Sequence, residues 1–203
     1  MIVIIDSAIG NIKSVSNMLS FMGYDSIISH SREDIINAEK LIFPGVGSFD
    51  KGMKNLHEFD LIDSLNEAVL DKAIPILGIC LGMQLFCKGS EEGNIKGLGW
   101  LDAQSVKFNF DDNPSMKIPH MGWNTVNSVR ESPLTNGIIE ESKFYFVHSY
   151  HLKCDDDQIE IGTTNYGNDF TSVIHSKNIY GTQFHPEKSH RYGMALIKNF
   201  ISI

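Results

Sequence analysis

The chain has 203 residues, of which 42% are hydrophobic and 21% are charged, as in an ordinary globular domain. We therefore expect one domain over residues 1–203. The formal net charge of −8 provides no overall positive field to attract nucleic acid. Three cysteines argue against a disulfide scaffold and favour a reducing, cytoplasmic setting. No stretch approaches the ~20 apolar residues that cross a membrane.

The first half of the chain alternates between strand-like and helix-like segments. A continuous apolar run at residues 2–5 is typical of a parallel strand buried on both faces, and a second apolar run lies at 74–79. Strands are predicted at both, and also at residues 24–29 and 41–43. Helical spacing of apolar residues predicts helices at residues 12–22, directly after Ser31, at 56–70 and at 81–88. Asn11 is the predicted N-cap of the first helix, and Ser31 with Asp34 forms a predicted capping box.

The second half of the chain changes pattern after residue 99. Short strand-like runs occupy residues 100–108, 123–126, 144–150, 159–163, 171–175 and 179–184, and a helix is predicted at 192–201. Strands and helices that alternate, followed by successive short strands, predict an α/β fold. Its sheet is expected to be mostly parallel, with an additional mixed or antiparallel part.

Residues 78–82 read Gly-Ile-Cys-Leu-Gly between a predicted strand and a predicted helix. This is the pattern of a nucleophile elbow with Cys80 in the nucleophile's place. The glycines permit a turn that a Cβ would obstruct. The helix N-terminus beside the sulfur favours a thiolate and supplies N–H groups for an oxyanion. A buried structural cysteine remains an alternative for so short a motif.

A histidine and a carboxylate lie near the other end of the chain. His185 follows a predicted strand, and Glu187 stands two residues later across a proline. Cysteine, histidine and glutamate are the nucleophile, base and orienting group of a thiol triad. In open α/β sheets, sites form beyond the carboxyl ends of the strands. The loop at residues 44–47, Cys80 and His185 all follow strands, so we expect one site to contain all three.

Five segments together resemble a known family. They are residues 78–84, 184–189, 44–49, 119–124 and 145–150. In their order along the chain, these segments are similar to class I glutamine amidotransferases, and within that family to the glutaminase subunit of imidazole glycerol phosphate synthase. The resemblance covers nearly the whole chain. It implies a flavodoxin-like class I glutamine amidotransferase fold and hydrolysis of glutamine without a cofactor or metal.

The resemblance also implies roles for particular residues. Cys80, His185 and Glu187 would form the triad, and the backbone amides of Val46 and Leu81 would hold the oxyanion. The residues implied to bind glutamine are Gly47, Gln84, Glu92, Ser149 and Tyr150. From the sequence alone, residues 44–49 fit an ordinary tight turn equally well, and Glu92 fits a solvated face.

A partner subunit is implied as well. The resembled glutaminase forms a heterodimer with a (βα)8-barrel synthase subunit, to which it passes ammonia. Asn11, Trp123 and Lys188 correspond to positions at that interface, although Trp123 is equally well predicted as a core residue. His148 and His151 suggest a metal pair, which we reject because residues three apart in a strand face opposite sides. Cys87 is predicted to be a small core residue.

Two rival functions remain open from the sequence. Residues 189–191, Ser-His-Arg, depart from the small-residue run that is frequent in relatives. Similar relatives supply ammonia for amidation of a surface-polysaccharide sugar, so a paralogue of that kind is one alternative. A non-catalytic regulatory subunit is the other, and the intact set of Cys80, His185 and Glu187 argues against it.

Overall fold

A computed structural model describes residues 1–111, 115–138 and 141–203. The helices are α1 (Ile12–Phe21), α2 (Arg32–Ile36), α3 (Phe49–Glu58), α4 (Leu61–Asn66), α5 (Leu81–Gln84) and α6 (His190–Ser202). The strands are β1 (Ile2–Ile5), β2 (Ser26–Ser29), β3 (Lys40–Gly45), β4 (Ile76–Cys80), β5 (Ala103–Lys107), β6 (His120–Thr125), β7 (Asn127–Ser128), β8 (Lys143–His148), β9 (Tyr150–Cys154), β10 (Glu160–Tyr166), β11 (Asn168–Ser176) and β12 (Ile179–Thr182). Within the described residues, no helix combines the length and apolarity that crossing a bilayer requires.

The main sheet has the strand order β2-β1-β3-β4-β12-β11-β10-β7, and β5 and β9 branch from β11. The first five strands of this order pair in parallel. The strands β11 and β10 continue the sheet antiparallel. A separate two-stranded sheet pairs β6 with β8. The predicted α/β class, with a mostly parallel sheet and an antiparallel extension, is confirmed.

The hydrophobic core lies on both faces of the sheet. In β1, Val3 and Ile5 pack with α2, α3 and α4 on one face. Ile2 and Ile4 pack with α1 and α6 on the other face. Side chains of a strand alternate between faces, so a strand covered on both sides must be apolar throughout. This explains the uninterrupted apolar run at the start of the chain.

Two predicted helices are shorter than expected. The helix predicted over residues 56–70 begins at Phe49 and is interrupted at Asp60, which adopts a left-handed conformation with φ of 52°. The chain continues as α4 and then as a π-helical segment, Glu67–Asp71. The helix predicted over residues 81–88 ends at Gln84, because the amides of Phe86 and Cys87 bond three residues back instead of four, as in Cys87 N–H to Gln84 O at 3.1 Å.

Two local predictions are wrong. The Ser31 side chain makes no cap hydrogen bond, because Asp34 instead accepts a hydrogen bond from Ser29 Oγ at 2.6 Å. The strand predicted over residues 144–150 is interrupted at Ser149, where β8 ends and β9 begins. The break reverses the direction expected for side chains beyond Ser149, so His148 and His151 do not face opposite sides.

Glycine is required where the end of β3 meets the turn after β4. A Cβ on Gly82 would lie 1.9 Å from the carbonyl oxygen of Phe43, a separation that no rearrangement of a side chain relieves. We therefore expect Gly82→Ala to lower the free energy of unfolding by at least the ~1–3 kcal/mol typical of overpacking. Urea unfolding followed by circular dichroism measures this change.

Gly89→Ala is the matched control, because its new Cβ would meet only the flexible end of Gln104 at 3.3 Å. Equal stability of the two variants would contradict the packing argument.

Candidate functional site

The sharp turn after β4 places Cys80 at the start of α5. Cys80 has φ of 55° and ψ of −111°, a region that non-glycine residues avoid. The flanking glycines do not carry this strain. They remove atoms instead: a Cβ on Gly78 would lie 2.5 Å from the Phe86 ring. The sulfur is buried, with 6% of the residue exposed.

The ends of three neighbouring strands meet at this turn. Gly45, at the end of β3, is in register with Cys80 at the end of β4. Thr182, which ends β12, is in register with Ile79 on the other side of β4. His185 follows three residues after Thr182. The expectation that the loop after β3, Cys80 and His185 share one edge of the sheet is confirmed.

His185 and Glu187 form a buried pair. His185 Nδ1 lies 2.8 Å from Glu187 Oε1, and their side chains are only 1% and 2% exposed. His185 Nε2 and Glu187 Oε2 are buried without a hydrogen-bond partner among the described residues. Polar atoms of this kind are rare in protein interiors. His185 Nε2 is therefore available for proton transfer, and the charge of the ring interacts with that of Cys80.

Burial alone would lower the pKa of His185, but the negative charge of Cys80, and then the hydrogen bond and charge of Glu187, outweigh it. The net effect raises the pKa of His185 above its ordinary value. The arrangement therefore favours the protonated ring of His185, which is a proton donor next to the predicted nucleophile.

Cys80 opens into a cavity of about 250 Å³. The sequence-predicted residues that line it are Val46, Gly47, Leu81, Gln84, Glu92, Ser149 and Tyr150. Pro119, Val147 and His148 complete the wall. Every residue predicted to bind substrate or oxyanion therefore surrounds the same cavity as the predicted nucleophile.

Gln84 and Glu92 are each held by other parts of the chain. The Gln84 Nε2 group donates to Tyr150 O at 2.9 Å and to Gln183 Oε1 at 3.1 Å, so only its oxygen remains to meet a ligand. Glu92 Oε2 accepts the N–H of Phe49 at 2.7 Å, at the start of α3. Glu92 is therefore more than a solvated surface residue, because its carboxylate holds the first turn of the helix that follows the Gly47 loop.

A chain of two histidines behind the cavity was not predicted from the sequence. His148 Nδ1 lies 2.8 Å from Tyr150 O and therefore donates to it. His148 Nε2 is then an acceptor for His120 Nδ1 at 3.0 Å, and His120 Nε2 accepts from Asn124 Nδ2 at 3.3 Å. Burial lowers the pKa of His148 to about 3 and that of His120 to about 4. Both rings are neutral, which the pattern of donors requires.

The argument that placed His148 and His151 on opposite sides is wrong. Both rings pack on Phe108, at centroid distances of 5.2 and 4.7 Å, because the break at Ser149 restores their common direction. Even so, no cluster of three or more His, Cys, Asp or Glu side chains suited to a metal ion occurs in the described parts of the chain. Cys87 is fully buried, and burial raises the pKa of its thiol, as expected for a core residue.

Trp123 lies on the surface, so the core alternative for it is wrong. It is 47% exposed, and Met121 on the same face of β6 is 62% exposed. The Trp123 ring stacks on His190 at 5.4 Å between centroids. Lys188 Nζ lies 5.6 Å from the centroid of the Tyr145 ring. Together these residues form an exposed aromatic and cationic surface. Two of them, Lys188 and His190, follow the His185–Glu187 pair closely in the chain.

Gln183 is a further site residue that the sequence analysis missed. It is fully buried, and its Nε2 lies 3.6 Å from Cys80 Sγ. Its place two residues before His185, at the end of β12, was the available signal.

Comparisons with known proteins find relatives that match nearly the whole chain. The model of the family "Glutamine amidotransferase class-I" matches residues 3–203. The chain is 53% identical to imidazole glycerol phosphate synthase subunit HisH 2 of Methanococcus maripaludis, over 99% of this chain and 98% of the relative. It is 44% identical to subunit HisH 1 of the same organism, over the full length of both chains. A chain of the PurLQS structure from Thermotoga maritima superimposes with a TM-score of 0.71 at 16% identity, covering 99% of this chain and 97% of that one.

The neutral histidines make a prediction about acid stability. Below pH 6.5 the unfolded chain binds protons at His120 and His148 that the folded protein excludes. The free energy of unfolding should therefore fall as pH drops towards 4, by up to about 1.4 kcal/mol per pH unit for each histidine. His120→Gln removes one of these protons and should make the fall shallower. Urea unfolding at pH 7, 6 and 5 measures the slope.

His57→Gln is the control, since it removes an exposed histidine of α3 and should leave the slope as in the wild type. A His120→Gln slope equal to that of the wild type would contradict the assignment of a neutral buried ring.

Proposed function

The chain belongs to the class I glutamine amidotransferase family, and we propose that it is the glutaminase subunit of an imidazole glycerol phosphate synthase. It hydrolyses glutamine to glutamate and supplies the ammonia to a synthase subunit in histidine biosynthesis. The observation that carries this proposal is the single cavity that joins Cys80, two backbone positions for an oxyanion and the predicted glutamine-binding residues. The buried pair of His185 and Glu187 adjoins Cys80.

Thioester formation is the first half of the reaction. The Cys80 thiolate attacks the carbon of the glutamine carboxamide, and the carbonyl π electrons move to oxygen. The backbone N–H groups of Leu81 and Val46 stabilise that oxyanion, an interaction typically worth about 3 kcal/mol for each donor. The His185 imidazolium gives its proton to the departing nitrogen. Ammonia leaves, and a glutamyl thioester remains on Cys80.

Hydrolysis of the thioester regenerates the enzyme. Neutral His185 takes a proton from water, and the resulting hydroxide attacks the thioester carbon. The C–S bond breaks, its electrons return to the Cys80 sulfur, and glutamate leaves. Glu187 keeps the ring in one orientation through its 2.8 Å bond to Nδ1 and stabilises the imidazolium each time it forms.

Selectivity for a free amino acid follows from the rest of the cavity. Gln84 presents an acceptor oxygen, and Glu92 Oε1 accepts a hydrogen bond from the substrate ammonium. The backbone at Gly47, Ser149 and Tyr150 offers polar groups to the α-carboxylate and the side-chain amide. Gly47 has φ of 120°, which only glycine adopts readily, so any other residue at this position would strain the loop.

The exposed surface around Trp123 fits a partner subunit. A large aromatic ring, Met121 and the cation of Lys188 are typical anchors of a protein interface. We infer that this surface, together with Asn11, docks on a (βα)8-barrel synthase subunit in a heterodimer. Ammonia would leave the site on that side. The pair works in the cytoplasm, where the three free cysteines stay reduced.

A second candidate function has a specific observation in its favour. Methanococcus maripaludis contains two relatives of this chain, and this chain is more similar to the one named HisH 2 than to the one named HisH 1. Two such subunits in one organism allow one to serve another ammonia acceptor. Amidation of a surface-polysaccharide sugar is that candidate, with the same chemistry at Cys80.

Replacement of the nucleophile tests the glutaminase. Cys80→Ala should abolish glutamate release from glutamine, measured with the partner subunit and its acceptor substrate present, because no thioester can form. Ammonium salts should still support synthesis by the partner, which does not need the thiol. Cys87→Ala is the matched control, a buried cysteine outside the cavity that should retain activity. Glutamine turnover by Cys80→Ala comparable to that of the wild type would overturn the mechanism.

Complementation separates the two acceptors. The chain and its native partner are expressed in a histidine auxotroph that lacks its own glutaminase subunit. Growth without histidine, lost on Cys80→Ala, is the expected result. If the two proteins are stable and associated but growth fails, while surface-sugar amidation in the source organism depends on Cys80, the second candidate is correct.

A further inference from the structure

Gln183 is held rigidly beside the nucleophile. It follows Thr182, the last residue of β12, and its backbone N–H donates to Ser172 O of β11 at 2.8 Å. Its side chain is fully buried. A buried carboxamide requires partners for both its donor and its acceptor, and here these partners are Cys80 and Gln84.

The direction of these hydrogen bonds follows from the Tyr150 carbonyl. A carbonyl only accepts, so the group of Gln84 that lies 2.9 Å from Tyr150 O is the nitrogen. The same nitrogen lies 3.1 Å from the Gln183 side chain, which therefore presents its oxygen to Gln84. The Gln183 nitrogen is left to face Cys80 Sγ at 3.6 Å. Inverting either amide would set two donors or two acceptors against each other.

We propose that Gln183 is a positioning residue for the nucleophile: its N–H donates to the Cys80 thiolate and holds the sulfur over the cavity. A thiolate accepts a hydrogen bond more strongly than a thiol does, because the acceptor is charged. The donor therefore favours the ionised sulfur without adding a second positive charge next to His185. The role in turnover rests on the glutaminase function proposed above, whereas the role in thiolate formation does not.

The same carboxamide connects the nucleophile to the substrate-binding wall. Gln183 Oε1 takes one N–H of Gln84, and Tyr150 O takes the other. With both N–H groups engaged, the oxygen is the polar atom of the Gln84 side chain that remains for a ligand. Loss of the Gln183 amide would remove the donor to the sulfur, while Tyr150 O would still hold Gln84. Loss of Gln84 alone would leave the donor to the sulfur in place.

Alkylation of Cys80 by iodoacetamide tests the proposal without glutamine turnover. The reagent is a small primary amide, and its rate follows the thiolate fraction. The full-length chain is treated across pH 5–10, and peptide mapping counts only modification at Cys80. In Gln183→Met, which has similar volume but no donor, the midpoint of the rate profile should move up by roughly one pH unit, as expected for loss of one hydrogen bond to a charged group.

Further variants separate positioning from packing. Gln183→Glu keeps the shape but replaces the donor with a negative charge, so its midpoint should move further than that of Gln183→Met. It also serves if Gln183→Met does not fold. Ser172→Ala is the control, a fully buried neighbour on β11 that perturbs packing without touching Cys80, and its midpoint should match the wild type. Folding of each variant is checked by circular dichroism.

Steady-state kinetics with the partner subunit give the second readout. Gln183→Met should lower kcat by roughly tenfold, the equivalent of one pH unit of thiolate, with little change in KM. A folded Gln183→Met or Gln183→Glu protein whose alkylation profile superimposes on that of the wild type overturns the proposal. If the profiles shift as expected while the wild type releases no glutamate, the proposed glutaminase function fails and the positioning role stands.

Discussion

The site depends on one close approach of backbone to backbone, between the end of β3 and the turn after β4. A Cβ on Gly45 would lie 2.5 Å from the amide nitrogen of Gly82, and a Cβ on Gly82 would overlap Phe43 O. With no side chain between them, the two segments bring Val46 and Leu81 to the same small cavity as Cys80. The cost falls on Cys80, whose positive φ is of the kind that costs ~1–3 kcal/mol and persists because β3 and β12 hold β4 from both sides.

Burial of the histidine–carboxylate pair is the second constraint. Charges taken from water cost several kcal/mol each unless they are paired and hydrogen-bonded. Here the backbone around His185 is held firmly. Its N–H donates to Tyr145 O at 2.9 Å, and its carbonyl accepts from Ser189 Oγ at 2.6 Å. The ring is therefore directed at Cys80 by main-chain bonds as well as by Glu187, and little freedom is left for the pair to separate.

Features encoded by short segments could be predicted from the sequence. Apolar runs predicted β1 and β4, and the motifs at Cys80 and His185 follow strands that the structure places side by side. Features that depend on tertiary contact could not be predicted. Nothing local shows that β8 ends at His148 and that Ser149 reverses the facing of His151. Core and surface positions were equally well predicted for Trp123, because a single aromatic residue in a short strand does not show which face of the strand is buried.

The hydrogen bonds around the cavity could not be predicted from the sequence either, because they also depend on tertiary contact. His120 and His148 lie 28 residues apart, and Gln84 and Gln183 lie 99 apart. Each residue alone has a polar side chain that fits many environments, since only the fold supplies its partner. Gln183 stood beside a recognised motif, yet the sequence does not say whether its side chain points to the sulfur or to the neighbouring strand.

The Tyr150 carbonyl joins these separate networks into one. It accepts from Gln84 on one side, which leads through Gln183 to the sulfur, and from His148 on the other. His148 continues through His120 to Asn124, both on β6. Alternation along β6 turns those two residues inward and places Met121 and Trp123 outward. The strand that presents the exposed surface therefore also supplies the donors that orient a wall of the cavity, so the two faces share one backbone and any shift of that backbone reaches both.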